Sequence, residues 1–248
     1  MAGHSKYANI KHRKAAQDNK RTKHFTKITR LVFVAAKHGG SNVENNPALR
    51  LAITKAKHYN LPKDRIDKAI KNATSTSVSE NYEEMHYEGY GANGVAIIVH
   101  ALTDNKNRTA SEVRSIFSKF NGNLGIDGSV SHIFNIVGML KYSNVDNEKI
   151  FNVATEANAL DVVSNQEINI NNEEENITKV LCIAKELNST RMQLTKEFND
   201  PVESSIVWMP QTFVELPLDK ADIIIKMINA LEDIDDVQSV DSNLKIVE

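Results

Sequence analysis

The 248-residue chain contains a single cysteine, Cys182, which excludes an intramolecular disulfide and a zinc site built from several cysteines. It has no run of about eighteen apolar residues, the length that a membrane-spanning helix requires. Its first thirty residues lack the apolar segment of a secretory signal peptide, so we predict a cytoplasmic protein with no membrane partner. A basic N-terminus that is poor in acids is also typical of organelle transit peptides, and this alternative stays open.

Sequence motifs that would indicate an enzyme are also missing. The sequence has no H-E-x-x-H element, no paired Cys/His spacing and no G-x-S-x-G element, so we predict a non-enzymatic protein with no catalytic residue, metal, cofactor or small-molecule substrate. The loop Gly89–Gly94 matches G-x-G-x-x-G. A dinucleotide site needs a helix after the glycine turn, however, and the β-branched run Val95–Val99 follows instead. We therefore predict a β-hairpin whose glycines adopt positive φ.

Acidic residues are scarce in the first part of the chain. Residues 1–72 contain 17 Lys and Arg against four acids, a balance of +13, and residues 73–248 contain 13 against 28, a balance of −15. Basic segments most often bind nucleic acid, because each cation placed on a phosphate releases a condensed counterion. A solvated basic tail is the alternative. The predicted contact residues are the cations between His4 and Arg30, namely Lys6, Lys11, Arg13, Lys14, Lys20, Arg21, Lys23, Lys27 and Arg30.

Apolar residues recur at helical spacing throughout this basic part. The pattern predicts helices from about Asp18 to His38, from Asn46-Pro47 onward, and from Pro62 to about Asn72. In the first of these helices, Lys20, Lys23, Lys27 and Arg30 fall on a stripe that lies away from the apolar stripe. One face can thus pack while the other stays available to phosphate. The polar stretch Thr74–Glu80 is predicted to be a linker.

Beyond the linker the pattern alternates between strands and helices, including a strand from Ser129 to Phe134 and an Asn/Glu-rich loop from Asn165 to Asn176. Thr109 to Glu112 matches a helix capping box. Because helix N-termini bind anions, the turn before it is predicted to make a secondary phosphate contact, and a solvated capping turn is the alternative. The turn runs from Asp104 to Arg108, and the residues predicted to make the contact are Asp104, Asn105, Lys106 and Arg108.

Several stretches are distinctive in their exact sequence and not only in their pattern of apolar and polar residues. They are AGHSKYANIKHRK at 2–14, YEGYG at 87–91 with TDN at 103–105, NLG at 123–125 with GSV at 128–130, and LEDIDDVQ at 231–238. In this order they closely resemble the YebC/PmpR family over essentially the whole chain. The resemblance extends the basic N-terminal motif to His12, alongside Lys6, Lys11, Arg13 and Lys14, and it covers Asp104, Asn105 and Arg108 in the polar turn. Tyr7 stands where the family usually has Trp, which would preserve an aromatic stacking role. Ala92-Asn93 replaces a Pro-Gly pair, which would mainly alter the turn.

The resemblance implies an α+β fold of three domains. These are an N-terminal three-helix domain (1–79), a ferredoxin-like α/β domain made of 80–134 and 211–248, and a second ferredoxin-like α/β domain inserted between them (135–210). It also implies a DNA-binding regulator of transcription. The family's mitochondrial relative is a translational activator and bacterial members are linked to ribosomes, so an RNA-associated translation factor is the alternative. The sequence leaves the oligomeric state open.

Overall fold

The computed structural model describes residues 3–75, 82–168 and 174–247, with side chains described from residue 21 onward except at residue 168. The chain divides into two compact bodies, a helical one that ends at Ser75 and an α/β one that follows it. Apart from its first two residues, the predicted linker Thr74–Glu80 lies outside the described residues.

Three helices make up the N-terminal body: α1 Gly3–Gly39, α2 Pro47–His58 and α3 Lys63–Thr74. Their buried faces meet in a core of Phe25, Ile28, Val32, Leu49, Ala52, Ala56, Ile66 and Ala69. The apolar spacing predicted all three helices but placed the start of α1 too late, near Asp18. Residues 3–17 offer few apolar side chains for a period to detect, whereas their Ala, Lys, Arg and Gln residues favour helix by intrinsic propensity.

Asn46 fixes the connection between α1 and α2. It is buried, and its Oδ1 accepts the N–H of Leu49 at 3.0 Å, so it caps α2 as the Asn-Pro signal predicted. Its Nδ2 donates to the carbonyl oxygens of Ala35 and Gly40, both at 2.8 Å. A single side chain thereby ties the end of one helix to the start of the next.

The α/β body contains a four-stranded antiparallel sheet in the order β3-β1-β2-β9. Its strands are β1 Glu83–Tyr90, β2 Ala96–Thr103, β3 Asn123–Leu124 and β9 Val237–Ser242. Helices α4 Lys106–Lys119 and α7 Leu218–Glu232 pack on it through a core that includes Ile97, Val113, Phe117, Ile224 and Met227. Two short strands, β8 Val214–Pro217 and β10 Leu244–Val247, form a parallel pair.

A second four-stranded antiparallel sheet has the order β5-β6-β4-β7. Its strands are β4 Phe134–Ser143, β5 Asp161–Ile168, β6 Glu174–Ile183 and β7 Glu203–Pro210, and its helices are α5 Asn147–Glu156 and α6 Leu187–Leu194. The units β4-α5-β5 and β6-α6-β7 interleave as split β-α-β units, which is the ferredoxin-like arrangement. The core between sheet and helices contains Leu140, Tyr142, Ile150, Ala154, Val180 and Leu194.

Strand β9 explains how the two sheets share one chain. It follows the whole second sheet in sequence, yet it pairs with β2 in the first sheet. The domain that contains the second sheet is thus inserted into the domain that contains the first sheet. The predicted α+β class with three domains, one inserted in another, is confirmed, while the exact domain boundaries stay a prediction.

Two local predictions were wrong, and the positive φ predicted for the glycines of the hairpin is confirmed for one of them. Helix α4 begins at Lys106 and is capped by Asn105, whose Oδ1 accepts the N–H of Arg108 at 3.1 Å, so Thr109 is not the cap. The segment predicted as a strand from Ser129 is a turn with a short 3₁₀ helix, and β4 begins at Phe134. In the hairpin loop Gly89–Gly94, Gly94 is the glycine with positive φ, at 75°.

The Asn/Glu-rich stretch 165–176 is only in part a loop. Strand β5 continues to Ile168 and β6 begins at Glu174, so paired strands occupy both ends of the stretch. Cross-strand pairing, which local composition does not report, holds these polar residues in the sheet. The segment between the strands, 169–173, lies outside the described residues.

Candidate nucleic-acid interface

Six of the predicted contact residues lie in the first half of α1. The backbone here is helical from Gly3 onward. Their side chains lie outside the described residues, so the predicted contacts stay a prediction for Lys6, Lys11, His12, Arg13, Lys14 and Lys20.

The remaining four lie on the described part of α1. Arg21 is exposed, whereas Lys23, Lys27 and Arg30 are half-buried, so the basic stripe lies closer to the packed part of the body than the helical period alone suggests. The Arg21 guanidinium lies 5.2 Å from the centre of the Phe25 ring. The α3 residue Arg65 places its own guanidinium 5.8 Å from the same centre, and the ring quadrupole attracts both charges.

Helix α3 adds a basic face that lies outside the predicted set of contact residues. Lys63, Lys68 and Lys71 are all exposed, while Ile66 and Ala69 face the core. At about 100° per residue, the three lysines centre roughly 150° away from the apolar side of the helix. Among the described side chains, no acid lies within salt-bridge distance of these lysines. Their spacing in the sequence, at i, i+5 and i+8, is the signal that predicts this face.

The described part of the basic body has a large excess of positive charge. Residues 21–75 carry eight lysines and four arginines against three acids. Lysine is a compact point charge suited to phosphate, while base edges are read mainly by arginine, asparagine and glutamine. Two of the four arginines, Arg21 and Arg65, are held over Phe25. This arrangement suits contacts to a phosphate backbone more than base readout.

The fold brings together the residues of the predicted secondary phosphate contact, but the cationic side chains among them are paired with carboxylates. Arg108 Nη2 donates to Asp104 Oδ1 at 2.8 Å and to Asp236 Oδ2 at 2.6 Å. These hydrogen bonds, with that to Asp236 the stronger, raise the pKa of Arg108. Lys106 Nζ lies 2.6 Å from Glu83 Oε2. A phosphate would have to displace these partners, so the geometry favours the capping-turn alternative, and the phosphate contact stays a prediction.

Asp236 organises this turn. Its carboxylate is buried and accepts hydrogen bonds from the hydroxyls of Thr109 at 2.6 Å and Thr103 at 3.1 Å, in addition to Arg108. Its backbone carbonyl accepts the N–H of Leu102 at 2.8 Å. Of the acidic cluster Glu232–Asp236, this member therefore joins the start of α4 to the approach to β9.

Glu88 was missed by the sequence reasoning and holds the glycine-rich loop after β3. Its buried carboxylate accepts backbone N–H bonds from Gly128 at 3.1 Å, Val130 at 2.8 Å and Ser131 at 2.9 Å. Burial opposes the charged form, but the three N–H donors outweigh it and lower the pKa of Glu88. This contact is the physical reason that residues 129–133 turn instead of forming a strand.

Close packing of backbone against backbone surrounds Glu88. A Cβ on Gly89 would lie 2.5 Å from the carbonyl oxygen of Asn123 and 2.6 Å from Cε1 of Phe117, so only glycine fits. The stretches YEGYG and NLG…GSV thus meet in space, through Gly89 against β3 and through Glu88 against the loop that follows. Their composition reflects folding of the α/β body, and it does not by itself indicate a binding site.

Neither a metal site nor a membrane span is found in the part of the chain that the structure describes. Among the described side chains, no three His, Cys, Asp or Glu groups converge in a way that could hold a metal ion. None of the described helices is both long enough and apolar enough to cross a bilayer.

Comparison with known proteins covers both bodies. A family model described as TACO1/YebC protein N-terminal domain matches residues 5–76, and one described as TACO1/YebC second and third domain matches residues 82–244. A probable transcriptional regulatory protein of Rickettsia akari is 50% identical over 98% of this chain and 94% of its own length. One from Syntrophotalea carbinolica is 45% identical over 99% and 96%. The crystal structure of a conserved hypothetical protein from Aquifex aeolicus superposes with a TM-score of 0.80, at 39% identity, over 94% of this chain and 93% of that one.

Proposed function

Because the chain belongs to the TACO1/YebC family, we propose that it is a non-enzymatic regulator of gene expression that binds nucleic acid through its basic N-terminal body. The names of its relatives, probable transcriptional regulatory proteins, support a regulatory role and favour DNA as the partner. The acidic remainder of the chain repels phosphate, which would leave the basic body as the part that approaches it.

One observation carries this proposal: the α3 lysines form an exposed face with no acid within salt-bridge distance among the described side chains. Lysines paired with neighbouring carboxylates would gain little free energy from binding phosphate, since each lysine would have to give up its carboxylate partner. Lys63, Lys68 and Lys71 release counterions on binding without that loss. The predicted interface therefore extends from α1 onto α3.

RNA is the second candidate partner, and the excess of lysine over arginine favours it as much as it favours DNA. Structured RNA is recognised largely by shape and through phosphate and ribose contacts, for which point charges suffice. A translation factor would use the same surface. In-cell crosslinking followed by sequencing of the bound nucleic acid separates the two candidates, because promoter DNA supports transcription and rRNA or tRNA supports translation.

The surface itself is tested by fluorescence anisotropy of a labelled 20-base-pair duplex, with the salt concentration varied. Replacing Lys63, Lys68 and Lys71 together by Ala should reduce the slope of log K against log salt by up to about 2.7, at about 0.9 per lost phosphate contact. At 0.15 M salt, the same relation gives up to roughly a 100-fold loss of affinity.

The matched control removes three exposed lysines from the α/β body, Lys185, Lys196 and Lys220, also by replacement with Ala. This variant has the same net charge as the α3 variant, so a general charge effect would weaken both variants equally. Equal weakening, or wild-type affinity and slope in the α3 variant, would remove α3 from the interface.

A further inference from the structure

The α/β body consists of two units, one built on the first sheet and the other, the inserted unit, built on the second sheet. These two α/β units meet around Trp208, on strand β7 of the inserted unit. Its ring packs against a core that contains Ala96 and Ile98 of β2. Its backbone N–H donates to Asp241 Oδ2, on β9, at 3.3 Å. Trp208 therefore touches the first sheet through both apolar and polar contacts, and it reports on the junction between the units.

Two histidines of the first sheet lie beside this tryptophan. The ring centres of His86 and His100 are 6.1 Å and 6.2 Å from that of Trp208. The two histidines are cross-strand partners on β1 and β2, with their Nδ1 atoms 3.0 Å apart. Nε2 of His100 lies 2.8 Å from Asp241 Oδ2, the same oxygen that accepts the Trp208 N–H.

The number of protons on the His86–His100 pair determines whether its hydrogen bonds can all persist. A hydrogen bond between two Nδ1 atoms needs one N–H donor and one lone pair, so the pair can share only a single proton at that position. Nε2 of His100 uses its own proton to donate to Asp241. The pair can therefore be neutral or carry one positive charge with all contacts intact. A second charge would protonate both Nδ1 atoms and set two N–H donors against each other, and because His86 is exposed its ring can turn toward water, which separates the rings.

The charges that face His86 come from three elements. Glu84 and Glu88 on β1 and Asp127 in the loop after β3 favour its protonated form, and His100 on β2 opposes it. Trp208 contributes no charge from β7. Burial against these neighbours is the largest effect, and with His100 it lowers the pKa of His86. Burial and the neighbouring imidazole therefore oppose a second charge on the pair, in the same direction as the contact between the two Nδ1 atoms.

We propose that the His86–His100 pair is a proton-operated latch between the two α/β units. While the pair carries at most one charge, His100 stays on Asp241 and both rings stay against Trp208. When both imidazoles are protonated, the Nδ1 contact breaks, His86 leaves the tryptophan, and the inserted unit is released from this side of the first sheet.

Trp208 is the chain's single tryptophan, so its fluorescence reports on the latch in the full-length protein. Acrylamide quenching measures how readily solvent reaches the ring, which separates opening of the junction from direct quenching by a charged imidazole. Between pH 7.5 and 5.0 we expect the Stern–Volmer constant to rise about twofold, with its midpoint below the ordinary histidine pKa of about 6.5. Far-UV circular dichroism should stay unchanged, because the units separate without unfolding.

His86→Asn should abolish the transition, since the amide can still hydrogen-bond to His100 but takes up no proton. His86→Phe, which keeps a ring against Trp208, should likewise give a flat profile and serves if the first variant folds poorly. His38→Asn, in the helical body, is the matched control and should titrate like wild type. A flat wild-type profile, or a transition that persists in both His86 variants, overturns the proposal.

Discussion

Glu88→Gln tests the explanation given for the glycine-rich loop. The change is nearly isosteric and removes one charge, and it leaves one carbonyl oxygen where two carboxylate oxygens accept three backbone N–H bonds. If the oxygen stays on Val130 and Ser131, the new NH₂ group faces the N–H of Gly128, donor against donor. The variant therefore loses at least one hydrogen bond and the charge assistance of the other two.

The cost follows from the burial of each donor. A hydrogen bond to a charged group contributes about 1.5–3 kcal/mol, and a buried donor left unpaired costs about 1–3 kcal/mol. The Val130 hydrogen bond is buried, whereas those of Gly128 and Ser131 are only partly so, and water can partly replace them. We expect Glu88→Gln to lower the free energy of unfolding of the α/β body by about 2–4 kcal/mol.

Urea denaturation followed by circular dichroism measures this loss, and Glu84→Gln provides the control. Glu84 is exposed on the same strand, so its change should cost less than about 0.5 kcal/mol. Hydrogen exchange should also show faster exchange of the Val130 amide in Glu88→Gln. A loss below about 1 kcal/mol with the Val130 amide still protected would refute the assignment of this carboxylate as the support of the loop.

The pH dependence of the free energy of unfolding provides a second test of the Glu88 contact. Since the folded state lowers the pKa of Glu88, the folded protein binds fewer protons there than the unfolded chain, and the carboxylate stabilises the fold above its unfolded pKa. This stabilisation is lost as the pH falls from about 4.3 through the lower folded-state pKa. The stability difference between wild type and Glu88→Gln should therefore narrow in acid.

Two further predictions concern the other polar sites. Asp236→Ala should cost about 3 kcal/mol in urea denaturation, because it removes the buried acceptor that the Thr103 and Thr109 hydroxyls share and leaves the half-exposed Arg108 with one carboxylate, whereas Glu112→Ala, at an exposed position of α4, should cost under about 0.5 kcal/mol. Replacing Lys11, Arg13 and Lys14 together by Ala should abolish tight binding and flatten its salt dependence in the anisotropy assay. Unchanged affinity and slope would remove this segment from the interface.

The sequence alone was sufficient for features that depend on neighbouring residues. Helical periods predicted α1, α2 and α3, and the Asn-Pro signal located the start of α2 at Asn46. Charge counting separated a basic part from an acidic part without any coordinates, because net charge is a property of composition. The predicted set of contact residues comes from that count and from a family resemblance. It centred on α1 and left out Lys63, Lys68 and Lys71, whose common face follows from their angular positions around α3.

The tertiary structure decided the features that join distant residues. Pairing of β9 with β2 placed the inserted domain, and Asp236 reached Arg108 across more than a hundred residues, which gives this predicted contact residue a carboxylate partner. Glu88 held the loop at Val130 in a turn where local composition had predicted a strand. Periodicity reports only which side of an element is buried. Which buried polar group meets which donor depends on how the sheets are assembled, and that assembly also brought His86 and His100 against Trp208.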